Sequence, residues 1–378
     1  MNGRARAQAP SDPTKVRGRP TRPVGQRAGS VTLQRHGRAG NSTGTPHEDL
    51  CGIITPSDLH FERHHGGVPE IDPSAYSLLI HGMVERPLVF TLADLKRFPS
   101  VSRIYFLECS GNLGRTAGPE TRPGQLAGLT STSEWTGVPL AALFREVGAS
   151  AKATWFLAEG SDAAVMTRSV PVSKAYDDAL IAYGQNGEPL RPEQGYPARL
   201  FLPGWEGNAS VKWLRRIELS DRPFMTREET SKYTEPFAND TARMFSFLMD
   251  ARSLITSPAY PVTLTPGWVE INGIAWTGSG RIARVDVSTD GGKTWTAAKL
   301  QDPVLPKAHT RFRHLWRWTG GTAVIMSRAV DETGYVQPTR AELLKRRGPG
   351  TTGYHLNPIT GWVVQDDGRV IYKEESWG

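Results

Sequence analysis

The chain is poor in cysteine, in long apolar runs and, over its first forty residues, in acidic side chains. Only Cys51 and Cys109 occur, in no C-x-x-C or C-x-x-C-H arrangement. That excludes a zinc ribbon and a covalent c-type haem and allows one disulfide at most. No stretch is apolar for long enough to cross a bilayer, and the N-terminus lacks the apolar core of a secretory signal, so neither a membrane span nor an export signal is legible. Residues 1–40 carry nine Lys/Arg against the single acid Asp12, a local charge of +8 in a chain whose total is +7. The basic balance therefore belongs to one segment and not to a surface that gathers phosphates, and nucleic acid is not an expected partner. Met1 to Thr45 is rich in Arg, Pro, Gly and Ser and offers little apolar area to offset the entropy of ordering it, so residues 1–47 read as a disordered basic tail.

What remains is enough for two domains. A length of 378 residues exceeds what one core usually serves, and 28 Pro with 39 Gly point to many turns and few long helices. Ser77 to Gly82, Leu88 to Phe90, Arg103 to Glu108, Trp155 to Ala158 and Leu200 to Pro203 read as strands; Thr91 to Phe98, with Thr91 as N-cap, and Pro139 to Val147 read as helices. Residues 48–247 are thus expected to form an α+β domain. After a boundary near Arg243 to Ile255 the chain alternates, and Arg281 to Leu300 predicts a hairpin turning at Asp290-Gly291-Gly292. With further strands at His314 to Trp318 and Ala323 to Ala329, residues 248–378 predict an all-β, immunoglobulin-like sandwich with a C-terminal extension.

Three clusters can carry chemistry. Cys109 ends a buried strand and enters the turn Ser110-Gly111-Asn112, a setting that holds a thiolate firmly while leaving room for a bulky ligand; for a lone cysteine the plain alternative is a small buried hydrophobe. Phe61-Glu62-Arg63-His64-His65-Gly66-Gly67 follows His60, but Pro56 and the two glycines argue against a helix that would converge the histidines on zinc. An anion-binding loop of Arg and His, or a solvated polar loop, are the readings left. The third is Gly207 to Leu214, preceded by Gln194 to Arg199. Here Ser210, Lys212 and the Arg199 fork suit a phosphate, although the spacing is not that of a P-loop.

Together and in this order, these clusters resemble the sulfite oxidase family over roughly residues 50–340. The likeness is strongest at Cys109-Ser110-Gly111-Asn112, the family's C-[AS]-G-N motif, and extends through Ser131 to Leu140, Tyr183 to Leu190, Tyr196 to Gly204 and Ser210 to Leu214, with Arg284 to Trp295 similar to the family's dimerisation domain. The resemblance implies a molybdenum–molybdopterin cofactor with Cys109 as the metal ligand and no haem in this chain. It implies that Phe61, Glu62, Arg63, His64 and His65 fold over the pterin, with Arg63 facing the substrate, and that Asp162 and Gln194 touch the pterin. Arg199, Ser210, Val211 and Lys212 would contact its phosphate, with Tyr233 and Arg115 at the catalytic centre.

Several positions depart from the oxidases. His64 stands where Asn is common, Gln194 where a His binds pterin, His314 where an arginine of the sulfite pocket is expected, and Arg115 is displaced by one residue. Histidine is mostly uncharged at neutral pH, so these changes imply a pocket that holds a small dianion poorly. Gly52 to Pro56 and Phe61 to Gly67 are similar to the molybdenum subunits of bacterial sulfane dehydrogenases, SoxC, which work with a separate cytochrome. The implied activity is oxidation of sulfane sulfur on a carrier protein, with electrons passed to a c-type cytochrome, in a homodimer. The implied location is the periplasm, with the cytoplasm open because no export signal is visible. The rivals are direct dehydrogenation of sulfite, reduction of nitrate or a sulfoxide by the same kind of domain, and a cofactor-free immunoglobulin-like binding protein.

Overall fold

The computed structural model describes residues 20–38, 40–113, 117–237, 239–348 and 354–373. It divides into two units, Met1–Leu33 and Gln34–Gly378. In the first, residues 20–33 carry no helix or strand and are almost wholly exposed, as a basic segment without an apolar face should be. All that follows lies in the second.

That unit opens with β1 (His36–Arg38), β2 (Ser42–Gly44) and β3 (Glu62–Arg63), a three-stranded antiparallel sheet. Next come β4 (Ser77–Gly82), β5 (Leu88–Thr91), α1 (Leu92–Arg97), β6 (Val101–Glu108), α2 (Pro123–Ala127), β7 (Thr130–Pro139) and α3 (Leu140–Glu146). β8 (Trp155–Gly160), β9 (Thr167–Pro171), α4 (Val172–Asp177), β10 (Leu180–Gln185), β11 (Glu188–Pro189), β12 (Arg199–Phe201) and β13 (Leu214–Ser220) complete this half. The strands build two sheets, β5-β4-β13-β8-β9, mixed through the parallel pair β4–β13, and β11-β10-β7-β6, with β12 also on β10. Alternate residues such as Leu78 and Ile80, or Ile217 and Leu219, meet Leu140 and Phe144 of α3 in one core. Thr91 caps α1 as expected, its hydroxyl accepting from Asp94 N at 3.1 Å while the Asp94 carboxylate accepts from Thr91 N at 3.0 Å.

A two-stranded link, β14 (Glu235–Pro236) with β15 (Ala242–Arg243), leads into the second half. There β16 (Arg252–Ser257), β17 (Gly267–Trp276), β18 (Ile282–Ser288), β19 (Thr296–Ala297), β20 (Lys299–Gln301), β21 (Thr310–Trp318) and β22 (Ala323–Asp331) are followed by α5 (Arg340–Arg347), β23 (Gly361–Val364) and β24 (Val370–Tyr372). Sheets β16-β17-β21-β20 and β19-β18-β22-β23-β24, both antiparallel, enclose Leu254, Ile271, Phe312, Val285, Val287, Ile325 and Trp362, the sandwich the alternation predicts. The predicted hairpin forms with Asp286 opposite Ala297, turning through Gly291 and Gly292 at φ 77° and 90°. Phe106 of β6 and Leu126 of α2 pack into the sandwich core, which binds the two halves together.

The expectation of a tail without structure up to residue 47 is overturned by β1 and β2, and the reason lies outside the segment. The Glu48 carboxylate accepts from Gly124 N at 2.9 Å and lies 2.7 Å from His36 Nε2, while Thr45 N donates to Gly128 O at 2.8 Å. Burial works against its charge, but these partners hold the Glu48 carboxyl below its ordinary range. The hairpin also lies so close on α2 that a Cβ on Gly44 would sit 2.6 Å from Gly124 O. Backbone contact between glycines stands in for the apolar side chains that the segment lacks.

Candidate active site

Cys109 follows the last residue of β6, where the strand ladder gives way to a turn: Cys109 N donates to Leu129 O at 2.9 Å, and Asn112 N closes back on Cys109 O at 3.0 Å. The preceding Glu108 is fully buried and accepts from Asn112 Nδ2 at 2.9 Å and from Trp276 Nε1 at 2.6 Å, with Arg252 Nη1 3.3 Å away. Trp276 and Arg252 belong to the sandwich, so the second half holds the cysteine turn from behind. On the other side a Cβ on Gly207 would meet Glu108 O at 2.7 Å, which is why glycine stands where this loop passes the turn. Burial pushes the Cys109 thiol up, only partly opposed by Gly111 and the Arg63 charge.

The thiol opens on a cavity of about 1300 Å³. At one end lie Arg199, Lys212, Gln194, Ser210, Val211 and Asp162. Arg199 is 1% exposed, and its guanidinium donates only to carbonyls, Gln194 O at 3.0 Å and Ser210 O at 2.8 Å among them, with the Trp135 ring 5.3 Å away. Burial alone brings its pKa down to about 9. Lys212 Nζ donates to Glu193 O at 3.0 Å and Arg63 O at 3.2 Å and meets His64 Nδ1 at 2.7 Å. Burial first, and Arg199 second, hold Lys212 well below its usual value. An ammonium facing Nδ1 makes that atom an acceptor, so the His64 proton sits on Nε2, which meets Glu62 Oε2 at 3.0 Å. Glu62 itself pairs with Arg35 and does not line the cavity; it holds His64 from behind.

At the cysteine end stand Arg63, His65, Tyr233 and Tyr354. Tyr233 is 8% exposed, its pKa raised by burial, its hydroxyl 3.5 Å from His65 Nε2 and its ring 5.1 Å from that of Tyr354. The Arg168 guanidinium lies over the Tyr233 ring at 5.0 Å and pairs with Glu206 at 2.9 Å and Glu229 at 2.7 Å. Glu206 in turn sits 2.9 Å from His355, whose backbone N–H donates to Ser110 O at 2.9 Å. Although burial works against a charged ring, Glu206 holds His355 above its ordinary range.

Phe61, Arg63, His64, His65, Cys109, Asp162, Gln194, Arg199, Ser210, Val211, Lys212 and Tyr233, though scattered in sequence, line one cavity. Glu62 stands behind it, and Arg115 lies outside the described residues. His314 is a correction: it lies in the middle of β21 opposite Ile271, away from the cavity, because the register of β17 and β21 turns it into the sandwich. Cationic groups that sequence reasoning missed line the cavity instead, Arg38 of β1 and Arg369 of the C-terminal segment, as does Tyr354. One arginine in a basic run, or a tyrosine 245 positions after Cys109, carries no local signal of such a role.

The oxidoreductase molybdopterin binding domain matches residues 65–228, and the Mo-co oxidoreductase dimerisation domain matches residues 243–361. Sulfite oxidase of Gallus gallus is 33% identical over 332 residues, which span 80% of this chain and 72% of that protein. An NADH nitrate reductase of Ulva prolifera is 30% identical, and the match spans 39% of that protein. Among solved structures, the sulfane dehydrogenase SoxCD from Paracoccus pantotrophus superposes with a TM-score of 0.85 at 45% identity, covering 92% of this chain and 90% of that one. A cavity lined by a single thiol at a strand end and by two carbonyl-bound cations, in an α+β half followed by a β-sandwich, agrees with these likenesses: the chain belongs to the sulfite oxidase family of molybdopterin-dependent oxidoreductases.

Proposed function

We propose that this enzyme oxidises sulfane sulfur carried on a partner protein and passes the electrons to a c-type cytochrome. The observation that carries the reading is the pairing, in one cavity, of Cys109 with the two cations Arg199 and Lys212, which have carbonyl and imidazole partners but no carboxylate among the described residues. Arg199 is a buried cation without a counter-ion, which is costly, so its surroundings fit the phosphate of a pterin cofactor, with half-buried Lys212 beside it. Among the described residues no three His, Cys, Asp or Glu converge as a metal site. Cys109, at a strand end and lining this cavity, would be the protein ligand of a molybdenum centre whose other ligands come with the cofactor. Kinship at 45% identity with a sulfane dehydrogenase supports the substrate class.

When bound, such a cofactor supplies two-electron oxygen-atom transfer to a sulfur lone pair. The chain's own groups do the rest. Ser210, Val211, Lys212 and Arg199 hold the phosphate end, Asp162, Gln194, Phe61 and His64 border the pterin, and Glu62 keeps His64 in its neutral tautomer. Tyr233, kept protonated by burial, donates a hydrogen bond at the reacting end, and Arg63 orients an anionic sulfur group there. Arg168, with Glu206 and Glu229, holds the Tyr233 ring in place.

The match of residues 243–361 to a dimerisation domain, and the exposure of Trp268 (66%) and Leu315 (61%) on the sandwich, support a homodimer. The periplasm is the compartment this kinship favours. Among the described residues no helix is long and apolar enough to cross a membrane.

The test has two parts. Purified protein should contain molybdenum and pterin in equal amounts, and kcat/KM with a c-type cytochrome should be higher for a carrier-bound sulfane than for free sulfite. Efficient turnover of sulfite alone would favour the sulfite dehydrogenase reading, and protein free of molybdenum would defeat both. Sedimentation at micromolar concentration should give the mass of two chains, and a monomer would count against the homodimer.

A further inference from the structure

We propose that Arg38 and Ser42 join Arg63 in a cradle for the sulfur oxyanion that forms as the substrate is oxidised, with Arg38 setting the affinity for that group. The inference rests on the reading of Arg63 as substrate-facing and adds to it a segment whose composition marks it as a solvated tail.

The argument begins with register. In the sheet of β1, β2 and β3, Arg38 stands directly opposite Ser42, and Ser42 directly opposite Arg63. Residues facing each other across antiparallel strands project to the same side, so the three side chains form one row. With strands spaced about 4.8 Å apart, the two arginine Cα atoms lie roughly 10 Å from each other, on either side of a hydroxyl. All three residues border the cavity into which Cys109 opens.

Charge supports the same assignment. The Arg38 Nη1 donates to Gln125 O and the Arg63 Nη1 to His64 O, and among the described residues neither guanidinium has a carboxylate partner. Burial lowers the Arg38 pKa, and Cys109 and Arg252 are close enough for their charges to act on it. Each fork keeps N–H donors beyond the one bound to a carbonyl, so two planar donor sets and a hydroxyl can share the oxygens of a tetrahedral sulfur oxyanion.

The row is also held in place. Glu48 ties His36 to the start of α2 at 2.7 Å and 2.9 Å, and the Gly44–Gly124 contact leaves no room for the hairpin to shift towards the helix. A hairpin pinned at two points behind Arg38 can present a charge at a set position, which a mobile tail cannot.

Holoenzyme of wild type, Arg38→Ala, Arg38→Lys and Arg97→Ala should be titrated with sulfate as the probe by calorimetry at low salt, and assayed for KM and kcat on sulfite. Arg38→Ala should raise the sulfate Kd and the sulfite KM by about 10- to 100-fold, the worth of hydrogen bonds to a charged group, with kcat changed by less than about 3-fold. Arg38→Lys, which keeps the charge but loses the fork, should fall between. Arg97→Ala, an exposed charge on α1 far along the chain from this sheet, should match wild type. A sulfate Kd in Arg38→Ala within about twofold of wild type would overturn the cradle. If Arg38→Ala does not fold, Arg38→Lys and Ser42→Ala decide on the same measurement. Failure of the holoenzyme to oxidise any sulfur compound, with sulfate binding still lost on substitution of Arg38, would remove the proposed function and leave the cradle standing.

Discussion

The two ends of the cavity solve the same electrostatic problem differently. At one end Arg199 is sealed in protein and Lys212 is enclosed by Glu193 O, Arg63 O and His64; at the other, Arg38 and Arg63 are half-buried on an N-terminal sheet. Neither pair has a carboxylate partner among the described residues. A sealed cation requires an anion that arrives once and stays, because its desolvation must be offset continuously. A half-buried cation keeps part of its hydration and can wait for an anion that comes and goes with turnover. Burial thus sets Arg199 apart as suited to hold a resident cofactor, while Lys212, Arg38 and Arg63 are all half-buried and differ in their partners, although all four are ordinary basic residues in the sequence.

The comparison breaks most completely if Cys109, which lines the same cavity, proves dispensable. Cys109→Ser should lose molybdenum and more than about 100-fold of activity, beyond the range typical of groups that only surround a ligand, while circular dichroism and the melting curve stay near wild type. Cys51→Ser, at an exposed position, should change neither.

Arg199→Met sharpens the contrast. A sealed cation without its anion costs stability, so the cofactor-free variant should melt no lower than cofactor-free wild type, while its cofactor content falls by roughly 10- to 100-fold at limiting cofactor. A variant that melts lower yet retains cofactor would show that Arg199 serves packing and not a phosphate.

Histidines offer a third way to bury a basic group, by shedding its charge. His47, His60 and His309 are buried, and burial brings His47 and His60 down to about 3 from 6.5 and holds His309 well below 6.5. Their folded values lie below the unfolded one. The stability they carry is therefore complete above about pH 6.5 and drains as pH falls towards about 3, by roughly 1.4 kcal/mol per pH unit for each ring. Urea midpoints at about pH 7.5 and about pH 4.5 should fall less in His47→Leu than in wild type, and an equal fall would refute the assignment.

Smaller effects test the substrate end. Gly124→Ala places a Cβ 2.5 Å from both the His36 ring and Thr45 O, so it should displace the hairpin and weaken sulfate binding several-fold without touching Arg38 itself. The smallest effect is expected from His314→Arg. Lying opposite Ile271 on the sandwich, it should leave the sulfite KM within about twofold of wild type.

Much of this molecule could be read from its residues in order. The strand Arg103 to Glu108 and the turn Cys109 to Asn112, the cap at Thr91 and the Asp290-Gly291-Gly292 hairpin are local, set by side-chain alternation, hydrogen bonding within a few residues and glycine at positive φ. Gln194 to Arg199 and Ser210 to Lys212, which line the cavity, likewise lie in short segments that carry their own pattern of donors. Composition reports only what a segment can bury by itself, so it gives no sign of the strands between His36 and Gly44. His36 to Gly44 is ordered by Glu48 and by glycines near residue 124, partners that no window over the tail contains. His314 was misplaced and Arg38 and Tyr354 went unnoticed because a cavity is enclosed by strand register and by chain returning from more than two hundred positions away. Sequence alone determined the elements, the thiol at a strand end and the two donor-rich segments. Which charges face the reacting end was decided only by tertiary structure, because the hydrogen bonds and close contacts that aim them join residues with no proximity along the chain.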